Sequence, residues 1–382
     1  MKIIFLYLCF SIFSISGYAK ENIFRTPVYL QNPAPDGITV MWLTNAPCHS
    51  WVEYGVDSLN MQIAQTWEEG IAMANNTLNR IRLTGLKPGT RYFYRVHSRE
   101  ITLYQAYKKE FGETATTPVR SFTTWDNQKT DFTAVIFNDL HDNYPLFDNL
   151  VEQVKDIPYD IVFFNGDCIS DAQTEAAAVR TISHFTRGTG GDRVPSVFIR
   201  GNHETRGAYS PFLWNLLGKI GNEHSYGAFS IGDTRFVALD CGEDKPDDFW
   251  VYYGMNDFTR FRKDQAMFLK KEIASRDFRR ASRRVLLHHI PIYGMSEEED
   301  YLPSRDEWGG ILAKAPFDVS INAHTHRFNY LDKGADGNNF PVVIGGGNNE
   351  KSATVTILQK KGKQMTLTVL NANGETLLAL NL

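Results

Sequence analysis

The sequence predicts an α/β domain of two packed mixed β-sheets flanked by helices, preceded by an all-β sandwich. Short strand patterns separated by turn residues fill residues 26–125, as in sandwich domains. After residue 130, apolar runs alternate with helical patterns, which is typical of βαβ units. With 382 residues and 42% hydrophobic content, the chain is long enough for two such domains.

The first 19 residues have the features of a secretory signal. Lys2 precedes an apolar run at residues 3–15, and a small-residue ending follows at 16–19. The run is shorter than the roughly 20 residues that span a bilayer, and no later segment is apolar enough. We therefore expect an exported protein, periplasmic or extracellular, without a membrane span. Cys48, Cys168 and Cys241 remain behind the signal, an odd number that leaves at least one thiol unpaired.

The all-β domain is expected at residues 20–125. Ile38, Val40 and Trp42 alternate with residues of the opposite face, which predicts a strand at 38–43. Residues 86–92 fit a tyrosine corner, in which the Tyr92 hydroxyl bonds the backbone just upstream. The polar stretch 126–130 has the composition of a linker, so the second domain is assigned to residues 126–382.

The second domain shows strand and helix patterns in alternation. Apolar runs predict buried strands at 132–137, 161–164, 197–200, 285–287 and 317–321. Helical patterns occupy 145–155, 171–186, 209–218 and 257–276. A turn-like segment at 361–363 separates the strands 353–359 and 364–370, and a last strand is expected at 376–379.

Five short polar motifs stand directly after the predicted buried strands. They are Asp139-Leu140-His141, Gly166-Asp167, Gly201-Asn202-His203-Glu204, His288-His289-Ile290-Pro291 and His324-Thr325-His326. Six of the ten histidines fall inside them. Because ligands gather at the carboxyl ends of strands in α/β sheets, these side chains are expected to converge. Their oxygen and imidazole donors are enough for two adjacent metal ions, which indicates a two-metal hydrolase.

With these motifs in this order, residues 132–353 resemble the calcineurin-like metallophosphoesterase superfamily. The resemblance implies that one metal ion is held by Asp139, His141 and His326. It implies that the other is held by Asn202, His289 and His324, and that Asp167 bridges the two. The metals would be iron, manganese or zinc, since the donors are imidazoles and carboxylates without thiolate. The implied reaction is attack of a metal-held hydroxide on a phosphate ester.

Several residues near the motifs allow two interpretations. His203 is either the catalytic group that donates a proton to the leaving group or a brace for its neighbours. Glu204 either orients His203 or caps a helix that starts near Tyr209. Neighbouring strand residues point to opposite faces, so His288 and His289 are alternatives; the pattern His-x-Pro favours His289. Asn202, His203 and Arg206 are candidates for substrate binding, although Arg206 also fits a solvated loop.

The first domain resembles the fibronectin type III-like domain that precedes the catalytic domain of purple acid phosphatases. Ser170 stands where the purple enzymes have the tyrosine that colours their iron, and Ala323 replaces a glycine of the last motif. The tandem order favours phosphate monoesters as substrates. The alternatives are a phosphodiesterase acting on nucleotides or lipid headgroups, and a non-catalytic binding module.

The charge of the chain bears on its partners. A net charge of -4 gives no basic surface of the kind that nucleic-acid binding requires. The acidic run at 297–300 fits a solvated loop. We therefore expect a small-molecule phosphate ester as partner and no nucleic acid, while the sequence does not indicate an oligomeric state.

Overall fold

The structure is a computed structural model that describes residues 22–126, 128–220, 224–295 and 301–382. The predicted secretory signal at 1–19 and the acidic run at 297–300 lie outside these residues. Within them, no helix has the length and the apolar character that a membrane crossing needs.

The secondary structure follows the predicted order of an all-β region and an α/β region. The all-β region contains β1 (Tyr29–Ala34), β2 (Gly37–Asp57), β3 (Asn60–Ala64), β4 (Trp67–Glu68), β5 (Ile71–Ala72), β6 (Asn76–Thr84), β7 (Arg91–Tyr104), β8 (Lys109–Thr116) and β9 (Arg120–Thr123). The strands of the α/β region are β10 (Phe132–Phe137), β11 (Ile161–Asn165), β12 (Ser196–Ile199), β13 (Gly227–Ile231), β14 (Thr234–Ala238), β15 (Arg283–Leu287), β16 (Val319–Asn322), β17 (Asn329–Leu331), β18 (Val342–Ile344), β19 (Thr354–Lys361), β20 (Gln364–Asn371) and β21 (Thr376–Asn381). Its helices are α1 (Tyr144–Val154), α2 (Glu175–Gly188), α3 (Phe258–Ile273), α4 (Arg276–Arg280) and α5 (Pro303–Leu312), and three 3₁₀ segments cover His203–Thr205, Ser210–Asn215 and Trp250–Tyr252.

Two mixed sheets pack face to face in the α/β region. In the first sheet β10, β11 and β12 are parallel neighbours, and β19, β20 and β21 extend it antiparallel. In the second sheet β14, β15, β16 and β18 are parallel, with β13 and β17 antiparallel at its edges. One apolar core, which includes Ile136 and Phe163 from the first sheet and Phe236 and Val285 from the second, fills the space between them.

Helices cover the outer faces of both sheets. Helices α1 and α2 bury Phe147 and Phe185 against the first sheet, and α3 and α5 bury Leu269 and Trp308 against the second. This arrangement confirms the predicted fold of two packed mixed sheets flanked by helices.

The all-β region continues the first sheet. Strand β1 pairs in parallel with β12 at Gln31 and Ser196, whose side chains also bond each other at 2.7 Å. The face of β2 that carries Met41 and Leu43 packs into the apolar core beneath α1 and α2. Both faces of residues 38–43 are therefore buried, because the second face lies against the α/β region.

Several local predictions are confirmed and others need correction. Tyr92 forms the tyrosine corner, its hydroxyl accepting from Lys87 N at 2.9 Å. The helix expected at 209–218 is only the 3₁₀ segment Ser210–Asn215. The helix expected at 257–276 ends at Ile273, and the Ser275 hydroxyl then caps the separate helix α4. The three described cysteines, Cys48, Cys168 and Cys241, are buried and unpaired.

Candidate metal centre

The structure brings the predicted donor residues together at the carboxyl ends of the parallel strands. Two groups could each hold a metal ion, and in each the donor atoms lie within 4.8 Å of one another. Asp139, His141, Asp167 and His326 form one group, and Asp167, His289 and His324 form the other. Asp167 belongs to both. The Asn202 amide joins the second group, since its Oδ1 lies 2.9 Å from His324 Nδ1.

The donor atoms face each other at short range. His141 Nε2 lies 3.1 Å from His326 Nε2, and His289 Nε2 lies 3.1 Å from Asp167 Oδ2. At 3.1 Å one imidazole can donate an N–H to the other, and a metal ion can take the place of that proton because both nitrogens are aimed at the same point.

The backbone is strained at these positions. Five of the seven predicted ligands have positive φ: Asp139 (47°), His141 (45°), Asp167 (50°), His324 (74°) and His326 (55°). For residues other than glycine the left-handed conformation is uncommon and costs about 1–3 kcal/mol, and it clusters at functional sites. These left-handed backbone conformations direct the side chains at the strand ends towards a common point.

The donor set fits a metal centre because two buried atoms in it form no hydrogen bond among the described residues. They are Asp139 Oδ1 and His289 Nε2, whose ionisable neighbours at the centre are His326 Nε2 at 3.4 Å and Asp167 Oδ2 at 3.1 Å, respectively. Asp139 Oδ2, in contrast, accepts from Asn138 Nδ2 at 2.8 Å and from His324 N at 3.0 Å. Because His289 Nδ1 donates to Asn165 O at 2.9 Å, Nε2 is the ring nitrogen that faces the centre and would bind a metal ion there.

The electrostatics of the centre favour a positive charge. Burial lowers the pKa of His289, but the Asp167 and Asp139 carboxylates outweigh it and raise this pKa to about 10. Burial lowers the pKa of His324 to about 4, so that ring is neutral near pH 7. A metal ion can take the place of the proton that the carboxylates attract. Thiolate ligation by Cys168 is disfavoured because burial raises the pKa of its thiol.

Comparison with known proteins identifies the family. The calcineurin-like phosphoesterase profile matches residues 132–328, which is more than half of the chain. The chain belongs to the calcineurin-like phosphoesterase family. The N-terminal domain of purple acid phosphatases matches residues 25–124. The chain is thus a purple-acid-phosphatase-like metallophosphoesterase, a hydrolase of phosphate esters.

Solved structures of low sequence identity share the fold. Purple acid phosphatase PPD1 from yellow lupin seeds superposes with a TM-score of 0.67 at 15% identity, over 93% of this chain and 73% of its own. PhoD gives a TM-score of 0.59 at 11% identity, over 93% and 91%. A dimetal phosphatase from Danio rerio gives 0.51 at 14% identity, over 66% and 99%. No curated protein matches this chain in sequence.

The two neighbouring histidines of the phosphoesterase point in different directions. His289 faces Asp167 in the centre. His288 is turned away: its Nδ1 donates to Ile290 O at 2.8 Å, and the Asn322 amide contacts its ring at 2.9 Å. The geometry therefore places His289 among the donor atoms and leaves His288 in the protein interior, where burial lowers its pKa to about 4.

His203 lies beside the donor groups, its ring 4.6 Å from that of His141. Its Nδ1 lies 3.0 Å from Asp171 Oδ1, and its Nε2 lies 3.2 Å from Arg206 Nη1. Since arginine can only donate, Nε2 accepts from Arg206, and Nδ1–H donates to Asp171. No sequence pattern indicates this role of Asp171, which stands as the first residue of the helix predicted at 171–186.

Glu204 has neither of the roles expected for it. Its Oε2 accepts from Asp167 N at 2.9 Å and Gly201 N at 2.8 Å, and its Oε1 accepts from Ile169 N at 2.8 Å. It bonds neither His203 nor a helix terminus, because the segment after Tyr209 is a short 3₁₀ turn. Burial and the Asp167 charge raise the pKa of Glu204 to about 7. Through these hydrogen bonds Glu204 links the Gly166-Asp167 motif to the motif that begins at Gly201.

Replacing Glu204 by glutamine should destabilise the phosphoesterase. The amide nitrogen cannot accept, so at least one buried backbone N–H loses its partner, and we expect a loss of about 2–3 kcal/mol. The free energy of unfolding from urea titration measures it. The matched control is Glu175→Gln at the half-exposed partner of Arg25, with an expected change below about 1 kcal/mol. Equal stabilities of Glu204→Gln and the wild type would show that the three backbone hydrogen bonds to Glu204 do not stabilise the fold.

Proposed function

We propose that this chain is an exported phosphatase that hydrolyses small-molecule phosphate monoesters with two metal ions. The observation that carries the proposal is the pair of donor groups that share Asp167 at the carboxyl ends of the parallel strands. The shared carboxylate allows two cations to sit side by side despite their repulsion.

The proposed ligands divide between two ions. Asp139, His141 and His326 would hold one ion, and Asn202, His289 and His324 the other, with Asp167 common to both. Iron, manganese and zinc all suit these oxygen and imidazole donors. When bound, the ions would neutralise phosphate charge and lower the pKa of water by several units.

The His203 and Asp171 side chains would assist the departure of the leaving group. For proton donation the His203 ring would carry protons on both nitrogens: Nδ1–H bonds Asp171, and Nε2–H, which in this form cannot accept from Arg206, would contact the departing oxygen. His203 is therefore proposed as the catalytic proton donor, a function that matters most when the leaving group is a poor one. The hydrogen bond to Asp171 fixes the ring orientation.

Replacing His203 by glutamine should affect alkyl and aryl esters differently. We expect kcat to fall by ~100-fold for an alkyl phosphate and by less than about tenfold for p-nitrophenyl phosphate, whose leaving group needs little protonation. Steady-state kinetics on both esters measure the two ratios. His184→Gln, which removes a partly buried histidine paired with Asp148 at 2.8 Å, is the matched control. Equal losses on both esters would show that His203 does not supply the proton.

The preference for monoesters is supported by the tandem domain order, which this chain shares with purple acid phosphatases. Hydrolysis of p-nitrophenyl phosphate against bis-p-nitrophenyl phosphate by the purified chain tests it. Faster monoester turnover supports a phosphatase, and faster diester turnover identifies a phosphodiesterase instead. Absence of turnover and of bound metal would support a non-catalytic module.

Export is proposed from the N-terminal sequence pattern. We propose a signal at residues 1–19, a β-sandwich domain at 20–125 and a catalytic domain at 126–382. Cell fractionation and N-terminal sequencing of the mature chain test the first of these: a mature chain in the periplasm or medium that begins near residue 20 is expected. A cytoplasmic chain that retains residue 1 would contradict export.

A further inference from the structure

A buried carboxylate that no sequence motif predicts holds Arg206 beside the metal centre. Glu243 lies in the loop after β14, and its side chain is fully buried. Its Oε1 accepts from Arg206 Nε at 2.6 Å, and its Oε2 accepts from Arg206 Nη2 at 3.0 Å. A bidentate pair of this kind fixes both the position and the plane of a guanidinium.

The remaining contacts of Arg206 define which end of it is free. Nη2 also donates to Asp244 Oδ1 at 3.1 Å, so Nε and Nη2 are fully used. Nη1 has two N–H groups and makes one contact, to His203 Nε2 at 3.2 Å. The Arg206 side chain remains 28% exposed. Nη1 is therefore the part of the guanidinium that a ligand beside His203 can reach.

Glu243 itself is held rigidly by its surroundings. The Thr205 hydroxyl donates to Oε1 at 3.0 Å, and the fully buried Arg262 donates to the Glu243 carbonyl at 2.7 Å. Glu243 and Asp244 also line a small groove with His324, one of the proposed metal ligands. The loop after β14 thus connects the Arg206 side of the centre with the His324 side.

We infer that Glu243 is a positioning residue that fixes Arg206 so that Nη1 binds a phosphoryl oxygen of the substrate beside His203. The inference rests on the proposed function and adds to it a phosphate-binding cation and the buried anion that holds this cation. Arginine suits the role because it is a fixed planar donor for phosphate oxygens. Without Glu243 the guanidinium would lose its orientation and much of its contribution to binding.

Kinetics of Glu243→Gln test the inference. Glutamine keeps the shape but cannot accept from both Arg206 nitrogens. We expect KM for p-nitrophenyl phosphate and the competitive inhibition constant of inorganic phosphate each to rise about tenfold, with kcat within about threefold of wild type. Metal content should not change. The matched control is Glu272→Gln, because Glu272 holds Arg235 in the same bidentate way, at 2.8 and 3.1 Å, near the start of β14, whereas Glu243 follows the end of that strand. It should leave KM and phosphate inhibition unchanged.

A double variant separates positioning from general destabilisation. If Glu243 acts only through Arg206, then the double variant raises the phosphate inhibition constant by the same factor as Arg206→Met alone, because Glu243 has nothing left to position once the guanidinium is gone. If either single variant does not fold, the double variant, which leaves neither charge unpaired, is tested instead, and its phosphate inhibition constant is expected to exceed that of the wild type. Unchanged phosphate inhibition in the variants, or a double variant whose factor is the product of the single factors, overturns the inference. A wild-type chain that hydrolyses neither ester overturns the inference and the proposed function together. An active wild type, beside a Glu243→Gln variant with the same KM and the same phosphate inhibition constant, overturns the inference alone.

Discussion

Asp167→Asn is expected to abolish binding of both metal ions and to lower kcat/KM for p-nitrophenyl phosphate by ~10³-fold or more. Asp167 is the only residue shared by the two donor groups of the described chain, and it is 1% exposed. Asparagine has the same shape, and its oxygen can still accept from His203 N, as Asp167 Oδ1 does at 2.9 Å. The substitution therefore removes the negative charge and one donor oxygen while it preserves the packing.

Elemental analysis and steady-state kinetics on the same preparation measure this outcome. The matched control is Asp148→Asn, which removes an exposed carboxylate that pairs with His184 at 2.8 Å. That variant should keep the wild-type metal content and turnover. Full metal content and full turnover in Asp167→Asn would show that Asp167 does not bridge two ions.

The second large effect is expected from the pair of neighbouring histidines. His289→Gln should remove one metal ion and lower kcat/KM by ~10²–10³-fold, because its Nε2, which forms no hydrogen bond among the described residues, lies 3.1 Å from Asp167 Oδ2. His288→Gln should retain both ions, since His288 bonds Ile290, Ser320 and Asn322 behind the centre. It should instead cost about 1–3 kcal/mol of stability, because buried polar neighbours lose partners.

The two variants serve as controls for each other. They change the same residue type at adjacent positions, so a general effect of imidazole loss would appear in both. Metal content and the free energy of unfolding are measured for each. Loss of metal in His288→Gln with retention in His289→Gln would reverse the assignment of the fourth motif.

The sequence predicts the layered fold well because its local signals agree with the long-range structure. The apolar runs of β10, β11, β15 and β16 are buried on both faces in the structure, and such strands read as continuous hydrophobic segments. The motifs come together because parallel strands place their carboxyl ends at one edge. The roles of the individual ligands stay predictions.

Other features depend on contacts between distant residues and leave no local signal. The pairing of Gln31 with Ser196 joins two regions that are far apart in sequence, so no periodicity within either strand indicates it. Glu204 fits a cap by its position, but its carboxylate meets backbone N–H groups near Asp167 that only the folded chain brings there. Glu243 stands in an irregular loop, where no pattern distinguishes it from a solvated glutamate.

The start of α2 shows how the site overrides local propensity. The pattern predicts a helix from residue 171, yet Asp171 has a φ of 42° and bonds the His203 ring. A residue in the left-handed region cannot open an α-helix, so the helix begins at Glu175, where the Thr174 hydroxyl caps Ala177 N at 3.2 Å. The displaced start leaves Asp171 free to contact His203.

The metal stoichiometry of the purified, active chain tests the central claim most directly. Elemental analysis beside turnover of p-nitrophenyl phosphate should give two transition-metal ions per chain, with activity lost on removal of metal by a chelator and restored when metal is added back. An active chain that contains one ion or none, and whose turnover survives the chelator, would contradict a two-metal centre built around Asp167.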